Sequence, residues 1–256
     1  DVAGFVVLTH GTDVRRIPFW FLVSAPKLAP ARLAIAKAGL YKGTTKGAPS
    51  RVSIYRYPTG GDVQYAGPER SYRIHVSGAP ANVGAVVLSG TAVPHVVFAG
   101  QEDHLAGYSA LPIDLNPYRA TYGRTTRSAG VILPAAGSYD VVFDTRSAGA
   151  AGPFTFRYWV NDVTPPKLRV VASARGQIRI TATDSGSGVD PSSVAAALDG
   201  HNVATRTASG AIVIRATRGR HKLVVHVSDY QEAKNMENVP PILPNTATLS
   251  VTVSVL

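Results

Sequence analysis

Apolar positions along the chain either alternate with polar ones or gather in short β-branched runs, and the three- and four-residue spacing of a helix is nearly absent. Gly, Pro, Ser and Asp close almost every run, so the pattern predicts many short strands. The first is a hairpin: Gly4–Thr9, a turn at His10-Gly11-Thr12-Asp13, then Val14–Val23. In its return strand Ile17, Phe19, Phe21 and Val23 alternate with Pro18, Trp20 and Leu22, leaving both faces apolar. An isolated hairpin is marginal in water, so residues 1–24 are expected to be the remnant of a truncated β-domain.

Residues 25–50, rich in Ala, Lys, Gly and Thr, read as a linker. Strands are then expected at Arg51–Tyr57, Ser71–Val76, Ala85–Ser89, His95–Ala99, Gly130–Leu133, Tyr139–Phe143 and Phe154–Val160. Gly100–Ser128 interrupts them without periodicity and exceeds the about 12–15 residues of ordinary loops, a length often associated with binding. Pro165-Pro166 cannot donate ladder hydrogen bonds and marks a junction. After it come Leu168–Ala172, Ile178–Thr183, Val194–Leu198, Val203–Thr207, Ala211–Arg215, His221–Ser228 and Thr246–Val255. The expected fold is all-β. A β-sandwich over 28–160 and an immunoglobulin-like sandwich over 163–256 follow the hairpin of 1–24.

Composition narrows the function classes. The chain has 256 residues, enough for about two domains. It has no cysteine, which excludes disulfides, thiolate nucleophiles and Cys-ligated metals. No apolar run approaches the roughly 18–20 residues of a membrane helix. Asp1-Val2-Ala3 has neither the basic start nor the apolar stretch of a signal peptide, so either a cytosolic protein or an interior or mature piece of a longer one is expected. The net charge of +10 divides evenly along the chain, with no concentrated basic run. Its densest cluster, Arg215, Arg218, Arg220, His221 and Lys222, has no aromatic neighbour, so nucleic-acid binding is not expected.

Catalytic constellations are weak. Gly107-Tyr108-Ser109-Ala110-Leu111 lacks the closing Gly of a nucleophile elbow. Glu102, Asp103 and Asp114 fall in one loop with no cleft to organise them, and read as solvated. Asp162, Asp184, Asp190 and Asp229 lie at turns and strand ends as hard oxygen ligands, the donors that calcium takes. Asx turns explain Asp184 and Asp190 more simply, so no cofactor is expected and calcium stands as the alternative. Tyr108, Tyr118 and Tyr122 with Arg119 and Arg124 have the composition of a recognition surface. They fit the end of a sandwich core equally well.

Gly4-Phe5-Val6-Val7-Leu8-Thr9-His10-Gly11-Thr12-Asp13-Val14-Arg15-Arg16-Ile17-Pro18-Phe19-Trp20 resembles the last hairpin of the fibronectin-III-like domain that follows the catalytic domain of bacterial subtilisin-like serine proteases. Pro49–Pro58, Asp114–Tyr118 and Gly137–Asp144 resemble the region beyond that domain in actinobacterial relatives. Asp162–Pro166 and Asp184–Asp190 are similar to bacterial immunoglobulin-like modules. Asp1-Val2-Ala3-Gly4 and His10-Gly11-Thr12 only echo the protease's aspartate and histidine motifs: the histidine enters a strand, and no serine motif follows. The resemblance implies a secreted or cell-surface, non-catalytic accessory region. Its partners would be a protease domain upstream in the same polypeptide and a protein or polysaccharide substrate. A stand-alone binding module for carbohydrate or protein is the alternative.

Overall fold

The computed structural model describes residues 2–21, 28, 33–56, 61–106, 127–231 and 245–256. Its elements are strands and two short 3-10 turns, so the fold is all-β, as the alternating pattern predicts. Strands β1 (Val2–His10) and β2 (Asp13–Phe21) pair antiparallel in register from Val2↔Phe21 to His10↔Asp13. They form a separate two-stranded sheet. The register puts Gly4, Val6, Leu8, Ile17, Phe19 and Phe21 on one face and Phe5, Val7, Val14, Pro18 and Trp20 on the other. Both faces are open, with Ile17 53 % exposed on the first and Trp20 65 % on the second.

Next along the chain come β3 (Ala34–Ile35), β4 (Gly39–Thr44), β5 (Ile54–Arg56), β6 (Gly61–Gln64), β7 (Arg70–Val76) and β8 (Asn82–Ser89). They are followed by β9 (Val93–Phe98), β10 (Gln101–Leu105), β11 (Ser128–Ile132), β12 (Gly137–Asp144) and β13 (Pro153–Val160). A seven-stranded sheet, β3-β7-β12-β9-β10-β5-β6, packs on a four-stranded one, β11-β8-β13-β4. Ile74, Val96, Val141 and Phe143 of the first sheet meet Val83, Ala85, Val131, Phe154 and Phe156 of the second in one buried cluster. The neighbours Val97 and Val142 point the opposite way, as period-two pleating requires. There they join Val52, Tyr55, Tyr65 and Leu105 in a second, smaller core.

Two expectations are corrected here. The stretch read as a linker contains β3 and β4, and β4 pairs with β13 from Thr44↔Pro153 to Gly39↔Tyr158. Its signal is masked because only Tyr41 carries the inward apolar pattern, stacked on Phe156 at 5.4 Å between centroids, while Leu40 faces out. The stretch read as a loop opens with β10, which pairs with β9 and, in parallel, with β5. Only Leu105 of that strand is buried, so its polar sequence hides it.

The remaining strands are β14 (Lys167–Ala174), β15 (Gln177–Thr183), β16 (Ala195–Leu198), β17 (His201–Asn202), β18 (Thr205–Ala208), β19 (Ala211–Arg215), β20 (Gly219–Ser228) and β21 (Thr246–Val255). They form two four-stranded sheets, β14-β15-β19-β18 and β17-β16-β20-β21. Ile178, Ile180, Ile212 and Ile214 of one face Leu223, Val225, Val227, Val253 and Val255 of the other. Single alternation along each strand supplies these residues, which is why this half is the most plainly written in the sequence.

Candidate metal centre

Residues 161–166 carry the chain from β13 into β14. Asn161 takes a positive φ of 55°, which turns the backbone and delivers Asp162 inward, where it is buried. The linker is pinned on both sides. Asn82, at the start of β8, accepts from Asp162 N at 2.8 Å through Oδ1 and donates to Asp162 O at 2.7 Å through Nδ2. Asn245 Nδ2, just before β21, donates to the same carbonyl at 3.2 Å. Ser187 N, in the loop after β15, donates to Asp162 Oδ2 at 2.6 Å.

The same place joins the two sandwiches elsewhere. Trp159 Nε1 of β13 donates to Gln231 Oε1 at 2.7 Å, with both side chains fully buried. Arg157, also on β13, donates to Gly186 O at 3.2 Å. Gly186 is required by close approach: a Cβ there would stand 2.3 Å from the Asp162 carboxyl carbon.

Around this junction the carboxylates of Asp162, Asp184 and Asp229 converge, with one oxygen of each lying within 4.8 Å of the others. Asp162 and Asp229 are buried and Asp184 is half-buried. Burial raises the Asp184 pKa above the usual carboxylate value, and the charge of Asp162 adds to the rise; the amides of Gly188 and Gly186 and the Arg157 guanidinium oppose it. Unit charges about 5 Å apart repel by roughly 3 kcal/mol at an effective dielectric near 20. Three ionised carboxylates at this spacing therefore favour a cation or a proton. The donors are all oxygen, with no imidazole in the group, which suits calcium or magnesium rather than zinc.

Three of the four aspartates singled out from sequence thus share one place. Asp190 does not join them. Its Oδ1 accepts from Ser192 N at 2.8 Å, capping the 3-10 turn Pro191–Ser193. Asp184 also makes a turn bond, from Gly188 N to its Oδ2 at 2.7 Å, so turn bonding and convergence coexist in one residue. Tyr108, Tyr118, Arg119, Tyr122 and Arg124 lie outside the described residues, as does Asp114. Asp103 is held by Arg56 at 2.8 Å. The polar partners Asn82, Gln231 and Asn245 carry no local motif and were not legible; Ser187 lies within the Asp184–Asp190 stretch that the sequence already marks.

A second polar cluster sits in the smaller core. Tyr55 OH donates to Asp144 Oδ2 at 2.6 Å. His95 stacks on the Tyr55 ring at 4.2 Å. Its Nδ1 is 3.0 Å from the same carboxylate oxygen but outside hydrogen-bond geometry. Glu69 is buried beside them, and its Oε2 accepts from Val52 N at 2.9 Å. Burial, chiefly, raises its pKa to about 7; the charge of Asp144 adds to this, and the amides of Val52 and Arg51 oppose it.

No family model and no curated protein matches the chain. Among solved structures, it is similar to the fibronectin(III)-like modules of Clostridium thermocellum CbhA, at 14 % identity and a TM-score of 0.28, over 84 % of this chain and 94 % of that one. It is also similar to the adhesin domain of Epf from Streptococcus pyogenes, at 10 % identity and a TM-score of 0.23, over 85 % and 91 %. A third likeness is to the glycoside hydrolase domain of Endo-D from Streptococcus pneumoniae, at 12 % identity and 0.27, covering 84 % of this chain and 37 % of that one. Likenesses this loose carry no argument about function.

Proposed function

We propose that the chain is a non-catalytic, extracellular-type binding module whose two sandwiches are fixed to one another by calcium at their junction. The observation behind this reading is the convergence of Asp162, Asp184 and Asp229 where β13 passes into β14. Calcium takes 6–8 oxygens. The three carboxylates offer one converging oxygen each, with turn carbonyls and water completing the shell. The ion would neutralise the mutual repulsion of the trio and tie the linker to the second sandwich. The narrower assignment, to the region behind the catalytic domain of a subtilisin-like protease, rests on the resemblance of the hairpin 4–20 and of the stretches 49–58, 114–118 and 137–144, and is placed second.

The test is thermal unfolding in 1 mM CaCl2 and in EDTA, with titration calorimetry alongside. A ligand at 100 times its Kd adds about 2.7 kcal/mol, so the melting temperature should rise by several degrees with calcium. Asp162→Asn and Asp229→Asn should each abolish the rise. Asp190→Ala, which removes the acceptor for Ser192 N, should lower both curves equally through loss of its cap and keep the rise. Identical melting with and without calcium, together with no calorimetric heat, would refute the proposal.

A further inference from the structure

The even spread of charge along the sequence does not survive folding. Strands β14, β15, β18 and β19 contain five basic residues and no Asp or Glu. Pleating sorts all five onto one side. Leu168, Val170, Ile178, Ile180, Ala182, Ile212 and Ile214 fill the core; the residues between them, Lys167, Arg169, Arg179, Arg206 and Arg215, therefore face away from it. The register sets them in rows: Arg179 is opposite Val213, and Val213 is opposite Arg206. Arg215 is opposite Gln177, and Arg169 is opposite Thr181. Val213 is buried although it lies outside the core cluster.

Strand spacing and rise put Arg169 and Arg215 each about 8 Å from Arg179. Arg169, Arg206 and Arg215 are exposed and Arg179 half-exposed. Among the described residues no ion pair involves any of the five. Beside this array lies a shallow cleft of about 520 Å³ lined by Asn202, Val203, Thr205, Arg206, Val213 and Arg215. Between residues 163 and 229 there is no Phe, Tyr or Trp. The face therefore offers no aromatic platform on which nucleobases, or the apolar faces of neutral sugars, could stack.

We infer that this sheet face is a docking surface for an acidic polysaccharide, a chain bearing carboxylate or sulfate groups at regular intervals. The occupant follows from charge complementarity: spaced guanidinium groups bind carboxylate or sulfate in bidentate fashion, and polar Gln, Thr and Asn between them hydrogen-bond hydroxyls. The inference deepens the binding-module reading and rests on it, but it does not require the calcium junction.

The experiment measures binding of fluorescent polygalacturonate and dextran sulfate, with neutral dextran and oligo-dT as comparisons, in 50 mM NaCl. Three variants of the full chain are compared with the parent: R169Q/R179Q/R206Q/R215Q; R15Q/R16Q/R218Q/R220Q, which has the same net charge; and R169K/R179K/R206K/R215K. Polyanion binding by the parent, a loss of about tenfold or more in the first variant, retention in the second and a smaller loss in the lysine variant, which keeps the charge but not the bidentate fork, support the inference. Binding should also weaken at 300 mM NaCl as the Debye length shortens. If the first variant fails to fold, Arg206→Glu, a change at an exposed site, should still weaken binding severalfold. Equal losses in the two charge-matched variants, or no polyanion binding, would overturn it. Tighter binding of oligo-dT would assign the face to nucleic acid instead. Asp162→Asn should leave polyanion binding intact, so failure of the calcium proposal remains distinguishable from failure of this one.

Discussion

A carboxyl group that titrates near neutrality inside a core makes stability depend on pH in a direction opposite to the usual one. Glu69 is 3 % exposed, and its pKa stands at about 7 against 4.5 in an unfolded chain. Between these values the folded state holds the proton more tightly than the unfolded state, so stability falls as pH rises through the window. The shift of about 2.5 units corresponds to at most about 3 kcal/mol at 1.36 kcal/mol per unit. Access of water at the margin of this small core brings the expected loss to about 1–3 kcal/mol between pH 5 and pH 8. Glu69→Gln keeps an acceptor for Val52 N and removes the titration. The new amide donor lies where Oε1 has no partner among the described residues, a constant cost of about 1–3 kcal/mol at every pH. The assay is guanidinium unfolding followed by the fluorescence of Trp159, which is fully buried in the first sandwich; Trp20 is already exposed and changes little. The parent should lose about 1–3 kcal/mol more than Glu69→Gln on going from pH 5 to pH 8. Parallel pH profiles for the two proteins would refute the reasoning, because histidines and all other groups are common to both.

Two further outcomes follow from close contacts and exposed surface. Gly186→Ala drives a methyl into the Asp162 carboxyl and should destabilise the protein by about 1–3 kcal/mol; it should also weaken any calcium response, read by melting with and without EDTA, and an unchanged melting temperature would show that the loop relaxes freely. The hairpin β1–β2 exposes apolar side chains on both faces, so F5S/W20S should reduce concentration-dependent association seen by light scattering, and undiminished association would place the sticky surface elsewhere.

The legible part of the fold is the part written by single alternation. β7, β13, β20 and β21 bury every second residue through much of their length, and their runs announce themselves. β4 and β10 do not: one spends its positions on Gly, Lys and Thr, the other on Gln, Glu, Asp and His, and each is held by its neighbours rather than by its own pattern. The candidate site was half-legible for a related reason. Aspartates at turns can be recognised individually, but which of them meet depends on tertiary packing. Asp190 looks like Asp184 in sequence and is diverted by one local bond to Ser192 N. Glu69, His95 and Asp144 come from distant parts of the chain with no shared motif, so their proximity could not be read at all. The basic face was missed because counting charge along the chain ignores pleating, which doubles its density on one side of a sheet.

The way β13 continues into β14 also has a mechanical meaning. β13 is an interior strand, bonded to β8 on one side and β4 on the other, and it leaves its sheet directly through the linker. β14 receives the chain at its first residue and is paired with β15 from Lys167 to Ala174. Tension passing from one sandwich to the other therefore runs along strand axes at both ends. It loads the ladder bonds together in shear rather than peeling them singly, while Asn82 and Asn245 grip the short segment between. A pull along the chain would thus meet paired strands on both sides of the junction.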